Sequence, residues 1–158
     1  QRQMCIRDRI PFFHCGNEFL RSKSMYKNTY NLSLSVNAVD WKLKYDNAEI
    51  YEYVKSLIKF RKMHEEFNLK NANEIRNKIK FYNVNDCCIC FSIKSDKGFL
   101  LAFINSGESF KFDLNDYFKD FNKCTKIFDG KIIEVEVNDN VILIDRRKSG
   151  VYSINMEK

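Results

Sequence analysis

Residues 87–94 read "CCICFSIK" and residues 98–106 read "GFLLAFINS". In an extended chain successive side chains point to opposite faces, which places Cys88 and Cys90 on one side and Cys87, Ile89 and Phe91 on the other. The apolar, β-branched and aromatic content predicts two strands, and the Ser, Asp, Lys and Gly between them predict a turn. Working outward, "KIKFYNV" (78–84), "SFKFDLN" (109–115), "KIFDG" (126–130), "KIIEVEV" (131–137), "NVILIDR" (140–146) and "GVYSINM" (150–156) repeat the pattern at short spacing. Within "KIIEVEV", Ile133, Val135 and Val137 are expected on one face and Ile132, Glu134 and Glu136 on the other. So many short strands with no helix between them predict an antiparallel sandwich or barrel over residues 71–158.

Upstream the periodicity changes. Ile50, Tyr53, Val54, Leu57 and Ile58 recur at helical spacing in "IYEYVKSLIKFRKMH" (50–64), with Lys55, Lys59 and Lys62 at other positions. Asp46 and Asn47 are candidate caps, and Glu49 falls near the positive end of the helix dipole. Before the helix, "IPFFHCGNEFLRSKSMYKNTYNLSLSVNAVDW" (10–41) opens apolar, turns at Gly16, runs through polar residues and closes on Asp40–Trp41. That is a strand emptying into a loop. One strand, one loop and one helix expose apolar faces with no partner sheet, so residues 10–70 read as the end of a larger α/β unit, such as the last βα repeat of a (β/α)8 barrel. In such barrels the loops after the strands build the active site.

Composition narrows the function classes. Lys and Arg number 27 against 21 Asp and Glu, but the basic residues are spread along the chain and read as a solvated surface. Clustered arginines, a recognition helix and an aromatic RNA-binding signature are all missing, so no nucleic-acid partner is expected. No apolar run approaches the roughly 20 residues of a membrane span, so no membrane partner is expected either. The "DCCIC" cluster (86–90) lacks the spacing of a zinc site, and neither His14 nor His64 is near it in sequence; no metal or cofactor is expected. The cysteines read as reduced core thiols and point to a cytoplasmic setting, with secretion left open. The leader "QRQMCIRDR" (1–9), with three arginines, does not suit a barrel-interior strand and is expected to be a non-native junction or an unrelated leader.

The segment "IPFFHCGNEFLRSK" resembles the run after the last barrel strand in type I pullulanases of the α-amylase family of glycoside hydrolases. The pattern G-I-P-x-x-H-x-G-x-E-F-x-R is matched at Ile10, Pro11, His14, Gly16, Glu18, Phe19 and Arg21. "TYNLSLSVNAVDWK" is similar to S-Y-N-S-P-D-S-V-N-x-x-D-W at Tyr30, Asn31, Ser35, Val36, Asn37, Asp40 and Trp41, and departs from it at Leu32, Ser33 and Leu34. "YEYVKSLIKFRKMHEEF" resembles the family's last barrel helix at Leu57, Ile58, Arg61, Lys62, His64 and Phe67. "NANEIRNKIKF", "FLLAFINSGESFKFDL" and "RRKSGVYSI" extend the similarity more weakly into a C-terminal β-sandwich.

The resemblance implies the C-terminal part of a debranching enzyme that hydrolyses α-1,6-glucosidic linkages in pullulan, starch or glycogen dextrins. A retaining glycosidase of this kind uses two carboxyl groups roughly 5–5.5 Å apart. In the family these lie on earlier barrel strands, so this segment would carry no catalytic residue and would be inactive alone. Glu65 and Glu66 at a helix end, and Glu134 and Glu136 on a strand face, do not replace them. The residues expected on the substrate side are Asn31, Asn37, Asp40 and Trp41: short polar groups that recognise hydroxyls or form turns, and an indole that stacks on a sugar or packs the loop. His14, Glu18 and Arg21 are expected to support the loop. The competing reading makes the sandwich a non-catalytic module that binds glucan or acts as a scaffold.

Overall fold

The alternation becomes eight antiparallel strands in the computed structural model, which describes residues 13–156. The leader and the first residues of the expected barrel strand, Ile10 to Phe12, lie outside the described residues. By internal contact the chain forms two units, one ending at Lys59 and the other beginning at Phe60. The sequence places its domain change later, at residue 71.

The first unit holds the loop, two short helices, α1 (Leu34–Asn37) and α2 (Lys42–Asp46), and most of α3 (Ala48–Met63). Helix α3 forms where the apolar periodicity predicts it, with Glu49 in its first turn and Arg61 and Lys62 in its last, as the dipole favours. The side chain of the expected cap Asn47 instead donates to the Phe19 carbonyl (3.3 Å) and the Leu43 carbonyl (3.1 Å). Ile50, Tyr53, Leu57 and Ile58, the apolar side of α3, all remain exposed.

The second unit begins at the end of α3 and adds α4 (Ala72–Lys78), capped by Asn71, whose side chain accepts from the Glu74 amide. The strands are β1 (Ile79–Asn85), β2 (Cys88–Lys94), β3 (Gly98–Asn105), β4 (Phe110–Asp113), β5 (Phe121–Phe128), β6 (Ile132–Val137), β7 (Val141–Ile144) and β8 (Ser149–Met156). Six form one sheet in the order β1-β2-β3-β8-β5-β6, and β4 pairs with β7 in a second. Between the sheets Leu101, Phe103, Tyr152 and Ile154 meet Phe112, Leu114, Ile142 and Ile144, with the Phe103 and Phe112 rings 4.9 Å apart. Cys88, Cys90 and Cys124 are buried in the same core as expected, whereas Cys87, in the turn before β2, and Cys15 are exposed and are not core thiols.

Two departures from strict alternation matter. The β5–β8 register slips between Lys126 and Phe128, and Phe128 packs on Phe60, with ring centroids 5.0 Å apart. That contact, with His64 stacked on Phe60 (4.2 Å) and bonded through Nδ1 to the Phe60 carbonyl (2.9 Å), joins residues 60–67 to the β-rich unit. On edge strand β6, Val135 is 54% exposed although the alternation expects it beside Val137; the register stays regular between these two valines and breaks on the other side of Val135, before Ile132.

Candidate functional site

Residues 13–47 fold around Gly16. Its φ of +96° suits glycine, and a Cβ there would lie 2.6 Å from Arg21 Cβ. The Gly16 carbonyl accepts from the amides of Phe19 (3.1 Å) and Arg21 (2.8 Å), while its own amide donates to Glu18 Oε2 (3.0 Å). The loop thus bends over a single backbone carbonyl. Non-glycine residues Leu20, Ser24 and Met25 follow with φ of 62°, 52° and 61°, so the turn is locally strained.

Arg21 is the first cross-brace. Its Nη1 donates to the Cys15 carbonyl (3.2 Å) and its Nη2 to the Asn37 carbonyl, fixing the loop's start to the end of α1. Its Nε is buried and has no hydrogen-bond partner among the described residues. The second brace is Asn37: Nδ2 donates to the carbonyls of Thr29 (2.8 Å) and Leu32 (3.1 Å), and Oδ1 accepts from Lys23 Nζ (3.2 Å). Lys23 also donates to Thr29 Oγ1 (2.8 Å), and Thr29 is buried.

The site residues expected from sequence therefore separate. Glu18 and Arg21 each bond to backbone rather than to one another. His14 is exposed, and its carbonyl accepts from the Asn17 amide (3.0 Å). The Asn37 amide is engaged inside the loop. Asp40 is exposed and turns the chain into α2 through a bond from the Lys42 amide (2.9 Å) to Oδ1. Trp41 lies 5.9 Å from the buried Phe19 ring yet is 60% exposed, so one part of the indole packs and the rest stays open. Asn31 is exposed beside Tyr30, which is 83% exposed.

Lys23 and Thr29 carry no sequence signal for their role, because a lysine bridging a threonine and an asparagine exists only after the loop closes. What the unit presents outward is aromatic surface, from Tyr26, Tyr30, Trp41 and Tyr45, with the amide of Asn31 and the carboxylate of Asp40. Flat apolar rings beside small polar groups suit a ligand with apolar faces and a rim of hydroxyls. Among the described residues no group of three His, Cys, Asp or Glu side chains gathers as a metal site, and no helix is long and apolar enough to cross a membrane.

No protein-family model matches the chain. A curated pullulanase of Bacillus subtilis (strain 168) is 32% identical over 84 residues, which is 53% of this chain and 12% of that protein. The pullulanase of Anoxybacillus sp. LM18-11, solved with maltotetraose, shares the fold over 92% of this chain and 21% of its own, with a TM-score of 0.74 and 26% identity. Type I pullulanase from Bacillus subtilis, solved with maltose, matches in fold over 94% of this chain and 21% of its own, at a TM-score of 0.78 and 20% identity. The chain thus spans about an eighth of its curated relative and a fifth of each solved chain. In sequence over 84 residues and in fold over 92–94% of its length, this chain is similar to the C-terminal region of pullulanases.

Proposed function

We propose that the chain is the C-terminal part of a debranching glycoside hydrolase that cleaves α-1,6-glucosidic linkages in pullulan, starch or glycogen dextrins. In this reading residues 10–70 are the last strand–loop–helix unit of a (β/α)8 barrel, and residues 71–158 are a β-sandwich that acts as a scaffold. The catalytic carboxylates belong to earlier barrel strands. The braced loop forms one wall of the glucan cleft: Trp41, Asn31 and Asp40 face the sugar, while Arg21, Glu18, His14 and Asn37 hold the wall in shape. Asn37 acts on the glucan through that shape, since its own amide is already bonded.

The observation that carries this reading is the fold likeness to a maltotetraose-bound pullulanase, which runs through loop, helix and sandwich over 92% of the chain. The exposed apolar side of α3 supports it, because a barrel helix buries that side against strands contributed by the rest of the barrel. A chimera tests it. When this chain replaces the matching region of the Bacillus subtilis pullulanase, a soluble product is expected to release reducing sugar from pullulan, and the Trp41→Ala chimera to do so more slowly. The chain alone is expected to release none. A folded but inactive chimera, or hydrolysis by the isolated chain, would overturn the assignment.

A further inference from the structure

We infer that one corner of the β-sandwich holds a second α-glucan site, separate from the loop of residues 13–47. The inference takes its ligand class from the proposed function. Three irregularities of the large sheet converge there. Gly98 opens β3 at φ +149°, and a Cβ on it would lie 2.0 Å from the Ile154 carbonyl oxygen, so only glycine lets β3 approach β8 this closely. The preceding turn is tied down by bonds from the Ser95 amide to the Gly98 carbonyl (2.8 Å) and from the Met156 amide to the Lys97 carbonyl (3.1 Å). On the other side of β8 the register breaks between Phe121↔Met156 and Lys123↔Asn155, leaving Asn122 as the extra residue of β5. Bulges of this kind bend a strand and re-aim a side chain.

Together these features frame an open cavity of about 710 Å³, lined among others by Asp96, Lys97, Phe99, Asn122, Asn155 and Met156. The volume falls within the roughly 300–1,000 Å³ of small-molecule sites. The chemistry of the lining selects the ligand. Phe99 and Met156 are partly buried against the core and give an apolar floor. Two asparagines offer neutral groups that both donate and accept, which is what the hydroxyls of a pyranose require. The positive charge of Lys94 and Lys97 is partly offset by Asp96, so the cavity is a weak anion trap and a better match to a neutral, polyhydroxylated chain.

Titration of the ¹⁵N-labelled 158-residue chain with maltotriose, and separately with inorganic phosphate, tests this. Maltotriose is expected to give saturable shifts at the amides of residues 96–99, Asn122 and Asn155. One lost hydrogen bond weakens binding about 2- to 12-fold. Asn122→Ala should fall in that range, and the Asn122→Ala/Asn155→Ala double variant should weaken binding by about tenfold or more. Asn122 is exposed, so the single variant remains informative if the double variant fails to fold. Shifts confined to residues 13–47, a response to phosphate alone, or affinity unchanged by Asn122→Ala would overturn the site. An active chimera with a silent cavity defeats only this inference, whereas cavity shifts beside a folded, inactive chimera defeat only the debranching assignment.

Discussion

At Gly98 and Gly16 the backbone requires glycine for different reasons, and the difference predicts unequal costs. At Gly98 the obstruction to a Cβ is a backbone carbonyl of β8, which cannot move without breaking the β3–β8 pairing. At Gly16 it is the flexible side chain of Arg21. Gly98→Ala is expected to destabilise the chain by about 3 kcal/mol or more, and Gly16→Ala by about 1–3 kcal/mol, both read from urea titrations. Buried thiols give a pH signature at the same scale. Burial raises the Cys90 and Cys124 thiols from 9.0 to about 12, with the Cys88 sulfur adding to the rise at Cys90. A raised folded-state value stabilises the protonated form, so this contribution is complete below pH 9 and is lost as pH climbs toward 12, where the unfolded chain releases its protons first. Melting temperature is expected to fall across that window, and to fall less steeply in Cys124→Val. Equal slopes in the two proteins would refute the linkage. Cys15 and Cys87, both exposed, should label with a thiol reagent well before Cys88, Cys90 and Cys124.

Strand β3 shows how an element divides its residues between packing and exposure. Phe103 is 1% exposed and contacts Phe112 and Tyr152, whereas its neighbour Ile104 is 52% exposed. Phe103→Ala is therefore expected to cost about 3–5 kcal/mol and Ile104→Ala less than about 1 kcal/mol, measured as the shift in denaturation midpoint. Comparable losses would mean that β3 is not in this register. The strand pattern is legible in sequence because a two-residue period survives in "CCICFSIK" and "GFLLAFINS", and α3 is legible because its apolar residues keep helical spacing. The bulges are not legible: nothing local in "FNKCTKIF" (121–128) marks Asn122 as extra or turns Phe128 toward Phe60. In the loop, family-like positions such as Gly16 and Arg21 can be found by pattern. The division of labour between Asn37, engaged in three bonds, and Trp41, largely open, depends on contacts across many residues that no local window contains.

Over the whole molecule, burial is distributed unevenly between the two units. The β-rich unit has a continuous core between two sheets, with Leu101, Leu114 and Ile154 at 0% exposure. Among the described residues of the first unit, Met25 (96%), Tyr30 (83%), Leu34 (81%) and Tyr45 (79%) are open, and Phe19 and Thr29 are the buried residues besides Gly16. Its bracing consists mainly of hydrogen bonds near the surface, such as Lys23 to Thr29 and Arg21 to Cys15, which open locally at low cost. Limited trypsin digestion of the chain is therefore expected to cut first at Lys23, Lys27, Lys42 or Lys44 and to leave a resistant fragment that begins near residue 60. In the chimera with the Bacillus subtilis pullulanase the proposed function expects the same four lysines to become resistant, because the remainder of that enzyme would cover the apolar side of α3 and tighten the loop that leads into it. Cleavage in the strands at the same rate as at these lysines would show that the β-rich unit has no independent stability. Unchanged cleavage in an active chimera would show that the loop remains loose when the enzyme is whole.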